Sequence, residues 1–466
     1  MTAVPAERTA PATRASSGSG RAAAVIAWGV LAAMLAAALA CIALYGRDIP
    51  MAEDWLLVPP LTGHEPDLGA WLWAQNNEHR VPLPKLLYLG LLKASGGDFR
   101  SGMVFNALAL AAMAAAMMLA ARRIRGRTSA ADAFFPIAML ELGDWMNIVW
   151  SWQIQFVVSA ALVIALLVVI VRQRGTLSPR AAVAAALAMA LLPFTGASGL
   201  IFAAALAPWA LYTAWLHLRG GGATGPRWPG ALIAAATVAA GLTGLLYFVG
   251  YERPTWNPPS PSHLATLKTA AKFLALGFGP AAIVSWTLFV LAAAAVLAPA
   301  AALVVMAALR AREGERARAW GLLLFTGGMA VMALGIGYGR AAQVPTIGLP
   351  TRYVLFALPA YCAAFFIYLL YAPPLLARAA QWALLASAVL LLPFNTRQGF
   401  YVRDWYLGET AAVERDIAAG LSPEALAARN RAFLMHWNER QLAERIRMLR
   451  EAGIGPFARW GETPAR

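Results

Sequence analysis

Glu53 and Asp54 stand side by side in the run Met51-Ala52-Glu53-Asp54-Trp55. Adjacent carboxylates repel one another, which raises the pKa of one and makes it a competent general base near neutral pH. A solvated acidic turn is the structural alternative for the dipeptide taken alone. Further along, Gln75-Asn76-Asn77-Glu78-His79-Arg80 sets six polar residues in a row between Trp71/Trp73 and Leu86-Leu87-Tyr88. Such a run cannot lie in lipid, so it faces water or a cavity. Here Glu78 and His79 are polar candidates; His79 suits an acid, a base or a metal ligand, and Arg80 suits a phosphate. A hydrogen-bonded loop brace is the alternative.

A second cluster runs from Glu141 through Asp144 to Asn147 and on to Trp150-Ser151-Trp152-Gln153-Ile154-Gln155-Phe156. Trp145, Trp150 and Trp152 fit an interfacial aromatic belt. Gln153 and Gln155 are amides that a bundle must either pair internally or offer to a polar ligand. Indole faces alternating with amides suit sugar rings, which need apolar faces to stack on and partners for their hydroxyls. Arg340, after Gly337-Tyr338-Gly339, and Arg352-Tyr353 supply isolated cations suited to bidentate phosphate contacts. Headgroup snorkelling accounts for such arginines equally well in kind. All four lysines (Lys85, Lys93, Lys268 and Lys272) fall in segments read as interfacial, where they could meet an anionic lipid.

The elements that must position these groups are membrane helices. The chain has 466 residues, of which 60% are hydrophobic and 13% charged, and its mean hydropathy is +0.60. That charged fraction is too small to cover a soluble protein of this size. Uncharged runs such as 101–121 and 286–309 match the roughly 20 residues that a membrane-crossing helix needs. Strand-like alternation is absent, which argues against a β-barrel. The fold class is therefore all-α: a polytopic bundle of about eleven helices. They fall near 22–44, 102–121, 132–147, 154–171, 181–195, 199–217, 230–249, 283–309, 319–338, 352–371 and 380–395. The net charge of +15 does not point to nucleic acid, because the arginines cluster at the ends of apolar runs. Lipid headgroups and the positive-inside rule account for them there. Cys41 and Cys362 both lie within apolar runs, so neither a disulfide nor a metal site follows.

The alternation of arginine clusters puts the N-terminus inside and the long loop 45–100 outside. Residues 1–21 read as a disordered cytoplasmic tail, 22–395 as the transmembrane domain, and 396–466 as a helical tail on the outer side. Ser422-Pro423-Glu424 is a helix start, and Leu442, Ile446 and Leu449 mark one apolar face. Within the loop, 68–74 and 83–93 are too short to span and read as interfacial helices. Residues 264–280 carry Lys268 and Lys272 one turn apart and also read as interfacial; were they to cross, the tail would change sides.

Helix centres hold almost no ionisable residues, whereas an ion-coupled transporter keeps such groups at mid-depth. The polar groups collect at one face, as in an enzyme that works at the membrane surface. With these residues assembled, the chain resembles the GT-C superfamily of membrane glycosyltransferases, which use polyprenyl-phosphate sugars. The resemblance rests on Glu53-Asp54 after the first helix, on the large first outer loop with its interfacial helices, and on the polar tail. The Asn-Glu-His-Arg and Trp-x-Gln-x-Gln-Phe runs are similar to those of bacterial members. It implies an inverting transfer with Asp54 or Glu53 as general base and Arg352 or Arg340 holding the lipid phosphate. It also implies a polyprenyl-phosphate-linked donor, a lipid or glycan acceptor in the cell envelope, and a bacterial inner-membrane location. The family more often carries Asp-Asp or Asp-Glu where this chain has Glu-Asp, so which carboxylate is the base stays open. No cofactor is named by the sequence, and a divalent metal is left open. A lipid or polysaccharide-precursor translocase, or a non-catalytic membrane protein, is the alternative. The observation that bears most on these readings is whether Glu53, Asp54, His79 and Arg352 line a single cavity open to both lipid and periplasm.

Overall fold

The computed structural model describes residues 17–220, 226–434 and 437–461. The tail expected over 1–21 lies outside the described residues up to 16; Ser17 already belongs to the first helix, Ser17–Tyr45. Among the described residues every regular element is helical, apart from one isolated bridge between Asn76 and His79. Nine helices among the described residues are long and apolar enough to cross a membrane, which makes the chain a multi-pass membrane protein.

The difference from about eleven lies in two segments that cross without being long helices. The run expected as a helix over 132–147 is broken into Phe134–Leu140 and Trp145–Val149. The break comes at Glu141, whose backbone is extended. The segment still connects both ends of the bundle. Asp132 pairs with Arg125 at 3.0 Å, at the end of helix Arg100–Arg125. Ser151 donates to the carbonyl of Phe99 at that helix's start. The second segment is Pro179–Leu191 continued by a 3-10 turn, Leu192–Thr195. It runs from His217, whose Nε2 accepts from the Leu177 amide at 3.2 Å, to Gly196 beside His79.

A broken crossing needs side chains to take up the backbone and polar groups freed at the break. Asn395 does this: its Nδ2 donates to Glu141 at 2.8 Å and to the Phe278 carbonyl at 3.0 Å, and its Oδ1 accepts from the Ala281 amide at 2.7 Å. Phe278 and Ala281 belong to the turn after His263–Ala275. That helix lies deeper than an interfacial one. Its Leu274 carbonyl accepts from Tyr361 at 2.8 Å, about two turns into the helix Val354–Tyr371. The chain turns back at Gly279, where φ is +88°, and does not cross. The tail therefore shares a face with the first loop.

Residues expected to begin a separate tail at 396 instead continue one helix, Pro374–Ala418, of 45 residues. At 1.5 Å per residue this is about 65 Å, roughly twice the hydrocarbon thickness. Its far end carries the helices Pro423–Leu434 and Glu439–Glu451 onto the first loop. Leu442, Ile446 and Leu449 are buried, and Phe457 meets Trp55 edge-on at 6.1 Å. The loop itself holds helices Leu68–Trp73 and Pro82–Ala94, and the Trp71 indole donates to the Leu56 carbonyl at 3.2 Å. Trp145, Trp150 and Trp152 are all buried in the bundle and form no lipid-facing belt.

Two glycines of the long helix give a matched test. A Cβ on Gly399 would stand 1.9 Å from the Leu142 carbonyl oxygen, whereas one on Gly408 would meet nothing within 4 Å. Gly399→Ala is therefore expected to destabilise by about 1–3 kcal/mol through overpacking. Gly408→Ala should be neutral or stabilising by about 0.5–1 kcal/mol. Thermal unfolding of both variants in the same detergent checks the contrast.

Candidate functional site

The first loop presents its carboxylates on a strained turn. Ala52 and Asn77 are the two non-glycine residues with positive φ among the described residues, at 52° and 49°. An L-residue other than Asn or Gly pays roughly 1–2 kcal/mol there, and such strain persists only where the surroundings fix it. Both residues bear on Glu53: Ala52 precedes it, and Asn77 Nδ2 donates to its Oε1 at 3.1 Å. Trp150 fixes the same turn by donating its indole N–H to the Met51 carbonyl at 3.2 Å. Its ring also lies under the Arg352 guanidinium, 5.8 Å from the centroid.

The two carboxylates point apart. Glu53 is half-buried and faces a cavity of about 680 Å³. Burial raises its pKa above the ordinary value, while Arg352 and the Asn77 amide act against the rise. Asp54 is buried and does not line the cavity. Its Oδ2 accepts from the Met51 amide at 3.0 Å, closing its own turn, and burial pushes its pKa up to about 7. Of the pair, Glu53 is placed to meet a ligand.

His79 and Glu78 reach the cavity from the tight turn in which Asn76 and His79 exchange backbone hydrogen bonds of 2.7 and 2.9 Å. Burial lowers the His79 pKa, favouring the neutral ring. Glu78 forms an ion pair with Arg340 and accepts from Asn257 Nδ2 at 3.1 Å. Arg340 also donates to the Tyr353 hydroxyl at 2.7 Å, so its charge is already matched. Arg352, raised on the 3-10 turn Thr351–Tyr353 after Pro350, has no carboxylate within ion-pair distance among the described residues. It rests between the Trp150 and Tyr353 rings. The chain thus supplies a neutralised guanidinium and an unneutralised one on the same wall.

Gln153 and Gln155 line the cavity as well. Below them the floor is apolar: Phe156, Ile201, Met332, Ile336 and Phe356, contributed by four of the long helices. The cavity therefore combines a carboxylate, an unpaired cation, neutral polar groups and a greasy base.

Besides Asp54, two expected site residues, Arg80 and Asp144, do not line the cavity. Arg80 is buried and serves as a brace. It donates to the carbonyls of Trp73 (2.7 Å), Tyr247 (3.0 Å), Val249 (2.9 Å) and Gly250 (3.2 Å). Four of the five guanidinium N–H donors are spent on carbonyls, and the side chain does not line the cavity. Asp144 is buried behind the wall and accepts both of its bonds, 2.7 and 2.8 Å, from Asn147. Asn147 in turn donates to the Arg352 carbonyl at 2.8 Å, so Asp144 supports Arg352 at one remove. Of the lysines, Lys85 is buried, not interfacial, with its ammonium on the Trp71 and Ala74 carbonyls at 2.8 Å each. Burial lowers its pKa to about 8.

The cavity also recruits residues not singled out from the sequence: Tyr251, Arg253, Trp256 and Asn257 from one loop, Gln343, and Trp437 from the tail. The loop had the same signal as the 75–80 run, polar groups interleaved with aromatics between apolar stretches. Trp437 gave none, because only the folding of the tail onto the loop brings it there. Among the described residues no three His, Cys, Asp or Glu side chains gather as a metal-ligand set. Comparison with protein-family models, curated proteins and solved structures finds no match to this chain.

Proposed function

We propose that this protein is an inverting glycosyltransferase that works at the outer face of a bacterial inner membrane. It moves one sugar from a polyprenyl-phosphate donor to a cell-envelope lipid or glycan. The observation that carries this reading is the single cavity holding Glu53 and the unneutralised Arg352 above an apolar floor set among membrane helices. A lipid-phosphate sugar has the same order of parts: an apolar chain, an anion and a neutral ring.

The chemistry follows from that order. The acceptor hydroxyl oxygen attacks the anomeric carbon and gives its proton to Glu53. The bond from the anomeric carbon to the phosphate oxygen breaks, and the phosphate leaves with the electron pair. Arg352 meets charge that grows as that bond breaks, so it stabilises the transition state more than the ground state. Arg340, already matched by Glu78, positions the wall through Tyr353.

The test uses purified protein in lipid nanodiscs with labelled polyprenyl-phosphate sugars and an envelope extract as acceptor. Free polyprenyl phosphate and a labelled acceptor of inverted anomeric configuration are expected. A donor that stays intact with every sugar offered would overturn the reading. Leaflet exchange of such an intact donor in proteoliposomes would put a translocase in its place.

A further inference from the structure

Gln153 is completely buried, yet neither its Nε2 nor its Oε1 has a hydrogen-bond partner among the described residues. It stands on the 3-10 turn Ser151–Gln153 with its side chain on the cavity wall. The turn itself is well satisfied: Ser151 bonds to Phe99, and the Gln153 amide N–H bonds to Trp150 at 3.1 Å. The unpaired side chain therefore does not reflect a loose backbone.

Other buried amides of this chain are employed. Gln173 donates to Gly175 at 3.1 Å and accepts from Trp209 at 2.9 Å. Gln381 accepts from Arg125 at 3.0 Å, and Asn395 uses both ends. Asn106 and Asn147 leave only their oxygens unpaired. Buried polar groups are paired as a rule, so an amide on a cavity wall with neither end paired points to a ligand that pairs them.

We infer that Gln153 is a specificity-determining residue of the cavity, reading hydroxyl groups of a sugar through its donor and its acceptor together. The inference rests on the glycosyl-transfer reading for the class of ligand. A carboxylate brings no hydrogen for Oε1, and an ammonium brings no lone pair for Nε2. Hydroxyls supply both. The neighbouring groups agree: His79 lines the same cavity with its Nδ1 buried and unpaired, and its ring is held neutral by burial. At the position that Gln153 meets, a hydroxyl is thereby favoured over a carboxylate or an ammonium.

Gln153→Leu separates this role from a structural one, because it removes both polar ends at similar volume. An amide already unpaired in the fold loses nothing by the change, so the melting temperature is expected to stay level or rise. Binding of methyl hexopyranosides to the protein in nanodiscs, read by saturation-transfer NMR, should weaken at least about tenfold, as expected when hydrogen-bonding groups built for a hydroxyl are lost. The unaltered protein should show a comparable loss of signal with one of the monodeoxy methyl hexopyranosides, the one lacking the hydroxyl that Gln153 meets. A lowered melting temperature with unchanged sugar binding would overturn the inference, as would equal binding of the parent hexoside and all of its monodeoxy analogues. These readouts need no turnover. If sugar binding follows Gln153 while no lipid-linked donor is consumed, the transferase reading fails and this one stands.

Discussion

Replacing Glu53 with Gln is expected to lower turnover about 10²–10⁴-fold, the usual contribution of a positioned general base, while donor affinity changes by no more than a few fold. The amide keeps the shape of the carboxylate and can still meet Asn77, so the loss falls on proton transfer. The pH profile gives a second readout. Burial holds the Glu53 pKa above its ordinary value of 4.5, and the base acts only when ionised. Turnover should therefore fall as pH drops through a value above the usual carboxylate range, and Glu53→Gln should remove that acidic limb. Asp54→Asn is the comparison. Asp54 faces its own turn rather than the cavity, and Asn keeps an acceptor for the Met51 amide and caps about as well as Asp, so this variant should change turnover little; Asp54→Ala should cost about 1 kcal/mol of stability, as for other caps. Its effect on stability also has a definite sign. With the folded pKa raised to about 7, the stability that Asp54 contributes while protonated is present below its unfolded pKa and lost as pH rises through about 7. A chain that keeps full turnover without the Glu53 carboxylate, but loses it with Asp54→Asn, would reverse the assignment.

Arg352→Gln should lower kcat/KM by about 10²–10³-fold, comparable to removing one donor that stabilises developing charge. Arg352→Lys is expected to recover part of the loss, since an ammonium restores charge without the planar fork. Both KM for the donor and kcat are measured, because the phosphate is bound in the ground state and carries more charge in the transition state. Arg340→Gln should behave differently. It strands Glu78 without its cation and removes the bond to Tyr353, so it should lower thermal stability alongside activity. Equal kinetic losses for Arg352→Gln and Arg340→Gln, with stability unchanged in both, would contradict the division of labour between a matched and an unmatched guanidinium.

The membrane class of this protein was legible in its sequence, because one physical quantity dominates it. A bilayer demands long uncharged runs whose backbone bonds are closed within each helix, and nine such helices are present among the described residues. The short helices of the first loop and the capped helix at Pro423 were legible for a similarly local reason, in the breaks that end them and the Ser and Pro that begin them. Local composition could not reveal the break at Glu141, since Glu141, Gly143 and Asp144 are equally compatible with a helix that simply ends at the membrane surface. The partner that makes the break tolerable is Asn395, distant in sequence. The same limit applied to the site. The residue types of Glu53, His79, Gln153 and Arg352 suggested their chemistry, and tertiary structure brought them to one cavity. Adjacent Glu53 and Asp54 are equivalent as sequence. The positive φ of Ala52 and the Met51 cap turn one outward and the other inward. Arg80 and Arg352 are equally cationic on paper, but four carbonyls consume the first and two aromatic rings leave the second unneutralised. Sequence fixes which chemical groups a chain carries; which of them remain free to act depends on hydrogen bonds and charge pairs that only the folded chain closes.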